Sequence, residues 1–333
     1  MRAKFESNGR GSWKAFGIAT LLLSCGAGAF GQQFVSRDSA AGQNCLKTIS
    51  GGPGDAGTVC DARAVEQLTQ SGQAFSDNQQ GIESALVLGS GKTVRDARKW
   101  FEKAARQGYA PAQVNLAVLY LNGWGVEKNY GTALYWLSAA AKQENARAHT
   151  NLGILYLNGW GVRQDYSEAA MHFRFAAEHG ETSAMVNLGY LSDAGLGTPK
   201  DSAEAVRWYR LAAERGDALG ENNLGDIYLR GLGVEQSDEI AKEWFEKAAE
   251  QGNTAARIKL GYLYASGRAG RTDAELAYAL ISAAELAGDK RGQVYFAPLE
   301  KQLSAEQIAR AKQKAQSMLS TPQNAKMELA FLR

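Results

Sequence analysis

A self-similarity at a fixed spacing of 36 residues constrains this chain more than any other feature. The blocks "NLAVLYLNGWGV" (115–126), "NLGILYLNGWGV" (151–162), "NLGYLSDAGLGT" (187–198), "NLGDIYLRGLGV" (223–234) and "KLGYLYASGRAG" (259–270) stand in register. A second set keeps the same register. Ala97, Ala133, Ala169, Ala205, Ala241 and Ala277 share one position. Trp100, Trp136, His172, Trp208, Trp244 and Leu280 share another, and Ala104, Ala140, Ala176, Ala212, Ala248 and Ala284 a third. Gly108, Gly180, Gly216, Gly252 and Gly288 close the units, with Glu144 as the exception. A repeat of this length is one supersecondary unit that buries its apolar face only by stacking on its neighbours.

Each unit reads as helix, glycine turn, helix, glycine stop. Leu116, Leu119 and Tyr120 fall at i, i+3 and i+4, one face of a helix expected over 112–122. Gly123 and Gly125 end it, because glycine adopts the positive φ of a helix C-cap without penalty. Ala133, Trp136 and Ala140 mark the buried face of the second helix. Small alanines let the two helices approach, and the tryptophan is expected to fill the space between units. The fold class that follows is all-α, a right-handed α-solenoid of stacked antiparallel helix pairs.

The pattern A-x-x-x-L-G-x-x-Y-x-x-G-x-G-V followed by A-x-x-W-x-x-x-A-A-x-x-G resembles the Sel-one-like repeat (SLR), a relative of the tetratricopeptide repeat (TPR). The resemblance spans five units from Ala112 to Gly288 and the second helix of an earlier one, Asp96 to Gly108. It departs at His172, at Ser192, which replaces tyrosine, and in the last turn. It implies a scaffold whose first helices line a concave face that grips a partner protein or extended peptide. On that face the residues are Asn115, Asn151, Asn187 and Asn223, with Val118, Ile154, Tyr190, Asp226 and Tyr262 one turn on and Arg230 beyond. The amides can satisfy a peptide main chain while the other residues receive its side chains. Asparagine in this place can equally bond its own neighbours. Trp124 and Trp160, between the two turn glycines, are a second candidate pair of exposed anchors.

The stretch "LGSGKT", Leu88 to Thr93, imitates the end of a phosphate-binding loop. Leu86 stands where such a loop needs glycine, no strand precedes it, and Gly89 lies 36 residues before Gly125. It therefore reads as the inter-helix turn of a leading unit, with no nucleotide bound. The formal net charge of +2 without a basic stripe argues against nucleic acid. His149, His172 and His179 occupy unrelated repeat positions, and no catalytic motif occurs. No enzymatic activity, cofactor or metal is expected. A cell-wall or β-lactam hydrolase is the alternative, although the cysteine pairs of the cysteine-rich SLR proteins linked to β-lactams are lacking after Cys60.

Arg2, Lys4, Arg10 and Lys14 precede a short apolar run, "AFGIATLLL" (15–23), and the small residues Gly26 to Ala29. This is the pattern of a secretory signal over 1–29. Its removal leaves 33 positive against 34 negative residues. Export implies a periplasmic protein of the bacterial envelope, with a secreted protein or an outer-membrane lipoprotein as alternatives. In the lipoprotein case "LLSC" would place the lipid on Cys25. Cys45 and Cys60 then form one disulfide across "SGGPGDAG". The segment 30–75 reads as loop-rich with a short helix over 61–70, the array as 76–289, capping helices as 290–320 and a tail as 321–333. Ser304 and Gln307 make a capping box that opens the last helix. Pro298 is expected to break the helix before it.

Overall fold

The computed structural model describes residues 62–86, 91–268 and 270–319. The expected signal, Cys25, the Cys45–Cys60 pair and the tail over 321–333 lie outside them, as do residues 88–90 of the phosphate-loop mimic. Gly91, Lys92 and Thr93 of that stretch open a helix. The described residues form fourteen α-helices and one short 3₁₀ helix, without a strand. They fall into two compact units that divide between Ala148 and His149.

The N-terminal unit contains α1 (Ala62–Leu86), α2 (Gly91–Arg106), α3 (Ala110–Asn122) and α4 (Tyr130–Ala141), and consecutive helices pack together. The short helix expected over 61–70 is part of a helix of 25 residues. It extends because Ala74 and Ile82 are buried in one cluster with Ala97, Phe101, Ala104, Leu116 and Leu119. The helical array thus begins inside the segment read as loop-rich.

In the C-terminal unit the order is α5 (Ala146–Asn158, from His149 on), α6 (Tyr166–Glu178), α7 (Thr182–Ala194), α8 (Ser202–Glu214), α9 (Ala218–Arg230), α10 (Asp238–Glu250), α11 (Thr254–Ser266) and α12 (Ala274–Leu286). A 3₁₀ turn (Lys290–Tyr295), α13 (Phe296–Glu300) and α14 (Ala305–Leu319) follow. Pro298 sits in the first turn of α13, where no intrahelical N–H is needed, so it starts a helix rather than breaking one. The capping box is formed: Ser304 N donates to Gln307 Oε1 at 2.8 Å, and Gln307 N donates to Ser304 Oγ at 3.2 Å. Ala311 and Ala315 of α14 are buried, and Lys312, Gln313 and Lys314 face solvent. Ala311 packs on α12 with Tyr278, Ala279 and Ile281.

Local chemistry repeats with the fold. Asn129, Asp165, Asp201, Ser237 and Asp273 cap the second helices, each accepting from the backbone N–H three residues on. The first turn glycine closes the first helix in the left-handed region, as at Gly195 (φ 67°). The second turn glycine has an additional reason. A Cβ on Gly197 would run into the backbone carbonyl of Tyr166 at the start of α6. Glu144, where the other units carry glycine, takes φ 58°, so the stop is kept at a steric cost.

The tryptophan position is not the deepest. Trp208 is buried, whereas Trp100, Trp136 and Trp244 are partly exposed. The next residue fills the core: Phe101, Leu137, Phe173, Tyr209, Phe245 and Ile281 are all buried. Its ring lies on the glycine of "LG" in the first helix of the hairpin. A Cβ on Gly153, Gly189 or Gly225 would stand 2.6, 2.8 or 2.7 Å from Phe173, Tyr209 or Phe245. In the unit with Leu137, the glycine is replaced by Ala117.

Candidate functional site

The first helices present the stripe expected to meet a partner, and the structure divides it. Asn115, Val118, Asn151 and Ile154 are buried. Asn115 Nδ2 donates to Asn78 Oδ1 at 3.0 Å, a neighbour on α1. Val118 and Ile154 spend their surface on intramolecular packing, so a partner on the molecular surface does not reach them. The asparagines largely serve their own fold. Asn187 Nδ2 donates to Ser183 O at 2.8 Å, and Asn223 Oδ1 accepts from Asn222 Nδ2 at 3.0 Å. One turn further, Asn122 and Asn158 bond Val118 O and Ile154 O of the preceding helical turn, both at 2.9 Å.

The stripe residues that keep surface belong to the C-terminal unit: Tyr190, Asp226, Tyr262 and Arg230, with Asn187 and Asn223 beside them. Lys259 takes the asparagine position of the last unit and lies 3.1 Å from Asp226 Oδ1, while Arg230 approaches Oδ2 of the same carboxylate at 3.4 Å. Two cations thus share one anion. Burial pushes the Lys259 ammonium below its ordinary range, opposed by Asp226 and reinforced by Arg291 and Arg230. Tyr262 stands 6.0 Å from Tyr295, centroid to centroid. Burial raises the Tyr190 hydroxyl, with Tyr166 adding to it. In helix order, Tyr190 stands on α7, Asp226 and Arg230 on α9, and Lys259 and Tyr262 on α11.

A second polar device, absent from the sequence reading, joins residues 30 apart in four of the hairpins. Gln107 Nε2 donates to Asp77 Oδ2 (3.2 Å), Gln143 to Gln113 (3.0 Å), and Gln251 to Glu221 (2.7 Å); Arg215 Nη1 approaches Met185 Sδ at 3.6 Å. Aligning the repeats by 30 as well as by 36 would have shown it. His149 and His179 hold the same two positions. Between them lies Phe175, stacked on His149 at 3.9 Å and on His179 at 4.1 Å. His172 joins from α6, its Nδ1 3.0 Å from His149 Nδ1. The three histidines, read as unrelated, therefore form one ladder, with Tyr156 stacked on His172 at 5.6 Å. Burial, and then the neighbouring His149, lowers the His172 imidazole to about 4.

Of the turn tryptophans, Trp124 is exposed and Trp160 partly buried. At Ser192, which replaces tyrosine, the hydroxyl is buried and donates to Glu204 Oε2 at 2.9 Å, while Arg174 Nη1 donates to Glu204 Oε1 at 2.8 Å. The Ser192 hydroxyl thus joins an ion pair where other units carry tyrosine.

Comparison with known proteins follows the same units. The Sel1 repeat profile matches residues 94–109, 110–145, 146–181, 182–217, 218–253 and 254–289. No curated protein matches. A Sel1 repeat protein from Oxalobacter formigenes is similar in structure, with TM-score 0.60 and 34% identity over 65% of this chain and 86% of that one. A protective antigen present in uropathogenic Escherichia coli strains, displaying an SLR fold, has TM-score 0.57 and 29% identity over 89% of this chain and 68% of that one. With six matched units and helix pairs packed in sequence order, this all-α repeat solenoid belongs to the Sel1 repeat family.

Proposed function

We propose that this Sel1 repeat scaffold works as an adaptor of the bacterial cell envelope, exported to the periplasm, which holds an extended segment of a partner protein. The row Tyr190, Asp226, Arg230, Lys259 and Tyr262 on successive first helices supports this reading. Tyr190, Asp226 and Tyr262 keep surface where Val118 and Ile154, their equivalents in earlier units, are buried. Tyrosine and arginine are enriched among the residues that dominate binding energy at interfaces, and tyrosine brings large contact area at low entropic cost. Export rests on the charge and apolar pattern of residues 2–29.

The test is site-specific photo-crosslinking in the cell from benzoylphenylalanine at position 190 or 262. The expected result is a discrete crosslinked partner, lost on adding Arg230→Glu, with the melting temperature unchanged. A crosslinker at exposed Glu243 on α10 serves as control. Equal capture from 190, 262 and 243, or none from the first two, would overturn the reading.

A further inference from the structure

We propose that His149 and His172 form a binding site for a divalent late transition metal, copper(II) above others, a role independent of the adaptor reading. The two imidazoles belong to the two helices of one hairpin, α5 and α6, and their Nδ1 atoms face each other across 3.0 Å. Adjacent imidazole ligands on one metal, with metal–nitrogen bonds of about 2.0–2.1 Å, stand about 2.9–3.4 Å apart for angles from square to tetrahedral. The observed separation lies within that window.

The rest of the ladder holds the pair in place. His149 stacks on Phe175 and His172 on Tyr156, which fixes both ring planes. In the other described units, the position of His149 carries Asp77, Gln113, Met185, Glu221 or Arg257, and that of His172 carries Trp100, Trp136, Trp208, Trp244 or Leu280. The pair is peculiar to one hairpin, and the packing of a unit does not demand it. No group of three or more His, Cys, Asp and Glu suited to a metal occurs among the described residues, so water completes the coordination. Imidazole with water suits copper(II), which heads the order of divalent affinities. On binding, the proton shared between the two Nδ1 atoms is released to solvent, and each nitrogen gives its lone pair to the metal.

The repeats supply variants that keep the fold. His172→Trp and His149→Gln install residues that other units carry at those positions, and His179→Gln does the same for the third histidine. Copper(II) is titrated calorimetrically into the purified chain and into each variant, with paramagnetic resonance of the one-equivalent complex and melting by circular dichroism. The unmodified chain and His179→Gln should bind one equivalent more than His149→Gln or His172→Trp, with hyperfine splitting from two nitrogens. Equal stoichiometry across all four proteins would overturn the site, as would a spectrum unchanged in His149→Gln. Because His149→Gln and His172→Trp act on different helices, a loss of fold in one leaves the other to decide.

Discussion

At the residue scale, glycine and its facing ring form the tightest constraint. A methyl at position 225 would meet Phe245 at 2.7 Å inside a filled core. Gly225→Ala should therefore destabilise the C-terminal unit by about 1–3 kcal/mol, read by chemical denaturation. Phe245→Leu, which reproduces the Ala117–Leu137 pairing of another unit, should recover part of that loss. Glu144 gives the opposite case. With φ at 58°, Glu144→Gly should add about 1 kcal/mol to stability by relieving left-handed strain. A third prediction concerns Glu221, whose carboxyl is raised by burial, against the pull of Gln251 and Lys247. The folded chain holds that proton to higher pH than the unfolded chain. Stability from this group is thus present below the ordinary carboxylate value of 4.5 and declines as pH rises through the elevated one. Glu221→Gln keeps an acceptor for Gln251 and should flatten that decline in denaturation curves taken between pH 4 and 7.

At the element scale, the second helices depend on their caps. Asp273 accepts from Leu276 N at 2.8 Å, so Asp273→Ala should cost about 1 kcal/mol. Amide exchange should quicken first in the opening turn of α12. That helix is uncommon in this chain, because Ala279, Ser282 and Ala283 are buried as well as the inward positions. What covers it is α14, through Ala311, Ala315 and the bidentate pairing of Arg310 with Glu275 at 2.8 and 2.9 Å. The capping role of α14 was legible in its box and its charged outer face. The length of α1 was not. Its residues 71–85 are mostly polar, and they become helical because Ala74, Ile82 and Gly81 receive Phe101. Local propensity contains no trace of that contact.

At the scale of the whole molecule, the 36-residue register was sufficient for the fold, because a unit that cannot bury its own apolar face leaves stacking as its stable outcome. The hairpins, the glycine stops and the terminal cap all follow from residue type at a fixed spacing. The candidate site was legible only in part. A consensus asparagine looks the same whether it points to solvent or bonds its neighbour, and burial separated Asn115 from Tyr190. The histidines show the same limit more sharply. Positions 149, 172 and 179 share no repeat register, yet the hairpin turn folds α6 back on α5 and brings their rings together. Periodicity encodes contacts that recur in every unit. A contact made once depends on the rotamers and shape of a single hairpin, and that information exists in three dimensions alone.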